Sequence, residues 1–235
     1  MKAIVKKELR IYFSTPMAYI FIAAFVCVTA ILFTMFNLFA ASAAISTVFS
    51  FLPYIFVFMI PLLTMRLIAE ERSLKTDQLL LTAPVSVSSI VFGKLISAVA
   101  VFGCAMLLML IFPVILRFHA DVEWGVVFTN YVGFFLLGSA LISLGMFISS
   151  LTENQLVSAV ITIAVIFVTF LIAYRVNASG NMLLEILVSV VALPKRFDNF
   201  FIGIMNLADV VYYVSVTFVF ALLTVYRMEK RRISK

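Results

Sequence analysis

Few residues in this sequence have the types and spacing that catalysis or metal binding requires. Cys27 and Cys104 both lie inside apolar runs, and His119 is the only histidine. A metal site needs several ligands at suitable spacing, so we expect the two thiols to be buried as small apolar side chains. Gly93-Lys94 is followed by leucine and has no phosphate-loop glycine before it. We therefore predict no enzymatic activity, no metal site and no cofactor bound by this chain.

The densest group of charged residues lies between two apolar runs, at 70–84 (EERSLKTDQLLLTAP). Acidic residues come first and a proline closes the segment, an order that predicts a short amphipathic helix. The residues of this segment that could contact a partner protein are Glu70, Glu71, Arg72, Lys75, Thr76, Leu79, Leu80 and Pro84. The segment is either a solvated loop helix or a rigid lever that fits a cleft on a cytoplasmic motor protein.

The N-terminal segment 2–14 separates basic from apolar residues at helical spacing. One face carries four basic residues: Lys2, Lys6, Lys7 and Arg10. Val5, Leu9 and Tyr12 form the other face, with Glu8 as the exception. Such a helix lies in the lipid headgroup region, where anionic lipid attracts it by roughly 1 kcal/mol per basic residue. The alternative is that these charges only orient the first span; the break at 14–16 (Ser-Thr-Pro) favours the interface helix.

Composition excludes a water-soluble domain. Of the 235 residues, 65% are hydrophobic and 12% are charged, whereas soluble domains have about 45–50% apolar and about 25% charged residues. Disorder is excluded too, because the chain contains 25 Phe and 8 Tyr. The net charge of +6 would suggest nucleic acid in a soluble protein. Here the basic residues flank membrane spans, so no nucleic-acid partner is expected.

Six apolar runs are long enough to cross a membrane, which takes roughly 20 residues per helix. They form one transmembrane domain over 1–235, with spans at about 17–40, 48–68, 91–116, 125–150, 155–174 and 210–226. The first run exceeds the ~7–15 apolar residues of a signal peptide, so we read it as an uncleaved span. The run 182–193 is too short to span and carries Glu185, which favours a re-entrant or interfacial segment.

Charge distribution sets the expected orientation. Both ends are basic, and most lysines and arginines fall on the side that places both termini in the cytoplasm. An even number of spans follows, so six fits and seven does not. The interiors of the spans hold almost no ionisable residues, which argues against a proton- or sodium-coupled transporter. Energy for uphill transport would have to come from a partner protein.

Residues 65–95 (MRLIAEERSLKTDQLLLTAPVSVSSIVFGKL) resemble the cytoplasmic loop of ABC-2 type transporter permeases. The matching positions include Glu71, Arg72, Lys75, Thr76, Leu79, Leu80, Pro84, Gly93 and Lys94, whereas Gln78 stands where many members have an acid. The N-terminal segment, 150–155 (SLTENQ) and 197–213 (FDNFFIGIMNLADVVYY) extend the resemblance over the whole chain. Together they are most similar to the gliding-motility-associated and copper-enzyme-maturation branch of small permeases.

The resemblance implies a mechanism. Residues 70–84 would be a coupling helix docked on a separate ATP-binding subunit, which would bind ATP and Mg²⁺. A second permease copy or paralogue would complete the pathway. Residues 182–208 would form re-entrant helices, and the outer gate would comprise Phe197, Phe200, Phe201, Gly203 and Asp209. A pair of interfacial helices without a gating role is the alternative.

The expected function is therefore a permease subunit of an ATP-driven ABC-2 type exporter in a bacterial inner membrane. Two other functions remain open at this point. One is an autonomous channel or facilitator that needs no motor. The other is a membrane scaffold for a surface machinery of the gliding type.

Overall fold

The fold is known from a computed structural model that describes residues 1–76, 85–176 and 192–233. All regular elements of these residues are helical. Six helices are long and apolar enough to cross a membrane, which confirms the all-α, six-span architecture. They cover Pro16–Phe39, Ser46–Ser73, Val87–Arg117, Trp124–Leu151, Gln155–Ala173 and Leu207–Arg232.

Short helices flank and interrupt these spans. In chain order the helices are α1 (Lys2–Ser14), α2 (Pro16–Phe33), α3 (Ser46–Thr64), α4 (Ala69–Ser73), α5 (Val87–Met109), α6 (Ile111–Arg117), α7 (Trp124–Leu151), α8 (Gln155–Val176), α9 (Phe197–Phe201) and α10 (Leu207–Ile233). A π-helical turn (Thr34–Phe39) extends α2, and a 3₁₀ turn (Leu193–Arg196) precedes α9. Proline at the first position of α2 suits a helix start, because its missing N–H would have no partner there.

The fourth span, α7, lies at the centre of the bundle. Within a membrane-length window 72% of its residues are buried, against 22% for the first and fifth spans. Glycines let the neighbours approach closely, since a Cβ on Gly133 would lie 2.4 Å from Phe200 Cγ and one on Gly145 2.4 Å from Thr64 Oγ1. The hydrophobic effect does not drive membrane helices together, because lipid tails are also apolar. Small residues instead stabilise the contact by allowing tight van der Waals packing.

Aromatic rings fill the core around Phe134 of α7. Its ring centroid lies 4.4 Å from that of Phe56, 5.8 Å from Phe49, 5.9 Å from Phe25 and 6.0 Å from Phe102. These partners come from α2, α3 and α5. One side chain therefore ties three spans to the central helix, at distances where aromatic pairs add to simple burial.

The prediction of one helix from Glu70 to Pro84 is wrong for the residues of this segment that the structure describes, 70–76. Helix α4 ends at Ser73, because Thr76 N donates to Glu71 O (2.9 Å) and Lys75 N to Arg72 O (3.1 Å). These two bonds form a Schellman motif, which stops a helix. Lys75 takes the left-handed conformation (φ 57°) that glycine usually supplies there. Residues 77–84 lie outside the described residues.

The expected burial of the two cysteines is also wrong. Cys27 is exposed on the surface of α2, and Cys104 is half-buried in α5. An apolar run marks a membrane span, but it does not distinguish a side facing other helices from a side facing lipid. Of the predicted outer segment 182–208, residues 182–191 also lie outside the described residues.

The close packing of α7 makes a testable prediction at Gly138. A Cβ there would lie 2.4 Å from Phe102 Cε1 and 3.2 Å from Phe56 Cζ, and both rings are fully buried. Gly138→Ala should destabilise the fold by about 1–3 kcal/mol, because the rings have no space to move into. Thermal unfolding of the purified chain in detergent, followed by circular dichroism, measures this loss.

Gly125→Ala is the matched control on the same helix. No atom lies within 4 Å of the Cβ that it would add. We expect its melting temperature to equal that of the unsubstituted chain. Equal melting temperatures for both variants would contradict the tight α7 packing described above.

Candidate functional site

The first turn of α4 is held by the end of α7. The backbone N–H groups of Ile68 and Ala69 donate to Ser149 Oγ at 3.2 and 3.0 Å. The same hydroxyl donates to Met65 O at 3.2 Å. A side chain from another helix thus satisfies N–H groups that a helix start leaves without partners. The start of α4 is fixed to the fourth span.

Arg72 joins α4 to the end of α7 and to α10. Its Nη1 donates to Ser150 O (2.6 Å) and Thr152 O (3.0 Å), where a cation suits the negative end of the α7 dipole. Its Nη2 donates to Glu153 Oε1 at 3.0 Å. Arg231 of α10 binds the same carboxylate oxygen at 2.9 Å. Glu153 therefore bridges the short helix and the last span.

Glu71 joins α4 to the opposite side of the bundle. Lys94 Nζ of α5 lies 2.8 Å from Glu71 Oε1 and 3.2 Å from Glu8 Oε1 of α1. Lys7 Nζ lies farther away, at 3.9 Å from Glu71 and 3.7 Å from Glu8. Since Lys94 and Glu8 are buried, they form a charged contact largely shielded from water. Helices α1, α4 and α5 meet at this contact.

A second set of polar contacts connects α1 and α4 to α3. Glu70 pairs with Arg66, in the turn after α3. Tyr12 Oη on α1 donates to Leu63 O at 3.2 Å. Burial is the main cause that raises the pKa of Tyr12, and the nearby Glu8 carboxylate adds to it. Tyr12 therefore remains a neutral hydrogen-bond donor.

The predicted coupling residues thus divide into two groups. Glu70, Glu71 and Arg72 bind side chains and backbone of the bundle itself. Lys75 and Thr76 are exposed in the turn after α4, next to Leu74, which is 65% exposed. Leu79, Leu80 and Pro84 lie outside the described residues. A turn with exposed polar and apolar groups at the end of an anchored helix is a surface that a partner protein can contact.

The structure places the basic residues of α1 on its exposed face. Lys2, Lys6, Lys7 and Arg10 are all exposed. Ile4 and Leu9 pack against the core on the other side. Glu8, the exception in the sequence pattern, is buried and contacts Lys94 of α5.

At the opposite end of the bundle, α9 is seated on α7. Phe197 and Phe200 are buried, and the Phe200 ring occupies the space above Gly133. Thr129 Oγ1 donates to Phe200 O at 3.3 Å, and Asn130 Nδ2 contacts Phe201 O at 3.4 Å. The aromatic part of the predicted outer gate is therefore a packed cap on the fourth span.

Two further predicted gate residues fix the chain around this cap. Gly203 has a φ of 86° and closes the turn after α9. Asp209 is buried and accepts hydrogen bonds from Arg196 Nη1 (3.1 Å) and Asn199 Nδ2 (2.7 Å). The first turn of α10 is thereby tied to the segment before it.

A cavity of about 590 Å³ opens beside this cap, between α3, α8 and the segment 194–201. Its lining is mainly apolar and includes the aromatic residues Tyr54, Phe58, Phe167 and Phe170. Lys195 and Asp198 supply charge at its edge. Burial raises the pKa of Asp198, an effect that Lys195 opposes.

Sequence reasoning missed the groups that hold α4. They are Glu8, Lys94, Ser149, Glu153 and Arg231. One signal was present in the sequence, since Glu8 falls among the apolar positions of α1, where a buried carboxylate needs a cation as its partner. Among the described residues, no group of three or more histidines, cysteines and acids could hold a metal ion.

Comparison with known protein families identifies the family of this chain. A family model described as ABC-2 family transporter protein matches residues 34–222, from the end of the first span into the last. The chain belongs to this family. It is thus the multi-pass membrane component, or permease, of an ABC transporter, a type that normally works with an ABC ATP-binding subunit. A comparison with curated proteins gives no match.

The anchor of α4 on α7 makes a testable prediction. Ser149→Ala should destabilise this permease by about 1–3 kcal/mol, because two backbone N–H groups lose their shared acceptor in a buried position. Thermal unfolding in detergent measures the loss.

Ser139→Ala is the matched control on the same helix. Its hydroxyl donates only to Phe135 O of its own helix, at 2.8 Å. We expect a change within about 0.5 kcal/mol. A Ser149→Ala variant as stable as this control would show that α4 does not depend on the Ser149 hydroxyl.

Proposed function

We propose that this permease is driven by a separate ATP-binding subunit that docks on the turn Leu74–Thr76 and the adjoining end of α4. The observation that carries the proposal is the asymmetry of this region. Ser73 to Thr76 are exposed, whereas the helix before them is anchored to α1, α5, α7 and α10. A partner that pushes on the exposed turn would therefore act on several spans at once.

Rigid-body movement is the physical basis of this coupling. A short helix anchored to several spans transmits displacement, whereas a flexible loop would absorb it. Rocking of packed helices about a fixed site is one established route to alternating access. ATP and Mg²⁺ would be bound by the partner, and this chain would respond to the partner's movement.

The distribution of basic residues supports a cytoplasmic position for this region. The exposed face of α1 is basic, and the last turn of α10 carries Lys230, Arg231 and Arg232. Positively charged segments stay on the cytoplasmic side and are attracted to anionic lipid there. We place both termini in the cytoplasm of a bacterium and the spans in its inner membrane.

The surface of α3 and α8 supports pairing with a second permease copy or a paralogue. Tyr54, Phe58, Phe167 and Leu171 are exposed on this surface and line the half-open cavity beside the outer cap. A second subunit would close that cavity into a pathway. Export is the direction that the resemblance implies, with the α9 cap acting as the outer gate.

Two alternatives remain distinct from this proposal. A facilitator would conduct in liposomes without any ATP-binding subunit. A scaffold of gliding-type surface machinery, as the suggested branch implies, would retain other membrane components and show no dependence on ATP.

Docking on the exposed turn is tested by two substitutions. Leu74→Asp with Thr76→Asp should lower the amount of ATP-binding subunit that co-purifies with the tagged permease at least ~10-fold, since docking would bury two carboxylates that have no partner. Immunoblotting and Mg-ATP hydrolysis of the purified complex measure the loss.

Phe118→Asp is the control for this experiment. Phe118 is 82% exposed, in the turn after α6 at the other end of the bundle. The control should retain the subunit in full. Retention by the Leu74 and Thr76 variant as well would exclude this turn as the docking surface.

Orientation is tested separately by labelling. In a variant without Cys27 and Cys104, Thr76→Cys should react with a membrane-impermeant maleimide only after the cells are opened. Asp121→Cys, in the connection between α6 and α7, should react in intact spheroplasts. The reverse pattern would place the Leu74–Thr76 turn outside the cell and contradict the proposed function.

A further inference from the structure

Lys94 is the most deeply buried charged side chain among the described residues. It is 2% exposed and lies in the inner part of α5. Removing an ammonium group from water costs several kcal/mol unless opposite charges compensate it. The groups that surround Lys94 therefore decide where this part of α5 can sit.

Two carboxylates from two other helices meet at this ammonium group. Glu71 approaches it from α4 at 2.8 Å and Glu8 from α1 at 3.2 Å. Lys7 is half-exposed and 3.7 Å or more from both acids, so water screens it more strongly than Lys94. Lys94 is thus the main charge that holds the two acids together.

The backbone around Lys94 is also shaped for contact with α1. A Cβ on Gly93 would lie 2.7 Å from Ile4 Cγ2, so this position lets the two helices touch closely. Ser97, one turn later, donates to Val5 O at 3.4 Å and to Gly93 O at 2.8 Å. Close approach, charge and hydrogen bonding therefore converge on one face of α5.

We infer that Lys94 is a positioning residue that joins α1, α4 and α5 into one body. Displacement of α4 then moves α1 and the third span together. The inference rests on the proposed function, because it names the residue through which the docked subunit's movement spreads. It also assigns a role to Glu8, which serves α5 and not the lipid surface.

Spin-label distances test the inference. Nitroxides at Ile11 (α1) and Ile96 (α5) report on the joined helices, and a second pair at Ile11 and Leu156 (α8) reports on movement across the bundle. All three positions are exposed, at 45%, 39% and 72%. The pairs are placed in a variant without Cys27 and Cys104. Distances are measured in the complex with its ATP-binding subunit, with and without Mg-ATP and vanadate.

In the chain with Lys94 intact, nucleotide should shift the Ile11–Leu156 distance and leave the Ile11–Ile96 distance unchanged. In Lys94→Met the Ile11–Ile96 distribution should broaden and vary with nucleotide, and the Ile11–Leu156 shift should be lost. Two carboxylates would then face each other without their shared cation, and the attraction that joins α1 and α4 to α5 would be lost. Lys94→Arg keeps the charge and should restore both results.

Controls separate this role from general stability. Arg117→Gln removes an exposed ion pair with Asp121 (3.1 Å) at the other end of the same span, and its distances should match those of the intact chain. Glu8→Gln removes the charge of the α1 partner and leaves Glu71 paired with Lys94, so it serves if Lys94→Met does not fold. It should free the Ile11–Ile96 distance while the ATP-binding subunit stays bound.

The two hypotheses fail in different ways. Unchanged distances in both Lys94→Met and Glu8→Gln, with the subunit bound and hydrolysing ATP, would overturn the role of Lys94 and leave the proposed function standing. A chain with Lys94 intact that retains no ATP-binding subunit would overturn the proposed function and this inference with it.

Discussion

A charge that leaves water must find its partners inside the protein, and this constraint organises the end of the bundle that carries α4, which we propose to be the inner end. Lys94 and the side chain of Arg72 are both shielded from solvent, at 2% and 8% exposure. Their partners lie on different helices, so satisfying them fixes α4 between α1 and α5 on one side and α7 and α10 on the other. Five residues of helix are too few to be stable alone. Helix α4 exists because the bundle supplies its N-terminal cap and the partners of its charges.

At the opposite end, where α9 lies, complementary shape adds to a partly buried ion pair, Arg196–Asp209. Aromatic rings and small residues form the packing there, with Phe200 over Gly133 and Phe197 against Phe134. Such contacts are short-ranged and depend on shape, so a small displacement of α9 forfeits much of their attraction. Ion pairs at the inner end act over longer distances and tolerate small shifts. Under the proposed function, the inner end would carry movement and the outer end would switch between two packed states.

The sequence predicted the six spans because a membrane requires runs of about 20 apolar residues, a signal that needs no knowledge of tertiary contacts. It could not predict the end of α4. The same Schellman motif ends α9, with Gly203 at the left-handed position, and a glycine there can be recognised in the sequence as a helix stop. Lys75 takes that position after α4, and a lysine gives no such signal. The partners of Lys94 and Arg72 were also out of reach, because Glu8 and Glu153 lie 86 and 81 residues away along the chain. Only folding brings them together.

The two sides of α4 differ in how easily they can part. Glu153 is 63% exposed, so water can solvate its carboxylate again when Arg72 or Arg231 moves away. Exposed pairs of this kind are worth about 0–1 kcal/mol and exchange partners readily. The carboxylate of Glu8 and the ammonium of Lys94 have no such access to water, and separating them would leave two charges buried and unpaired. Movement should therefore open first between Glu153 and Arg231 of α10, whereas the buried Ser149 contacts keep α4 on α7 and Lys94 keeps it on α1 and α5. The line of relative motion at the inner end then runs between α10 and the helices joined to α4.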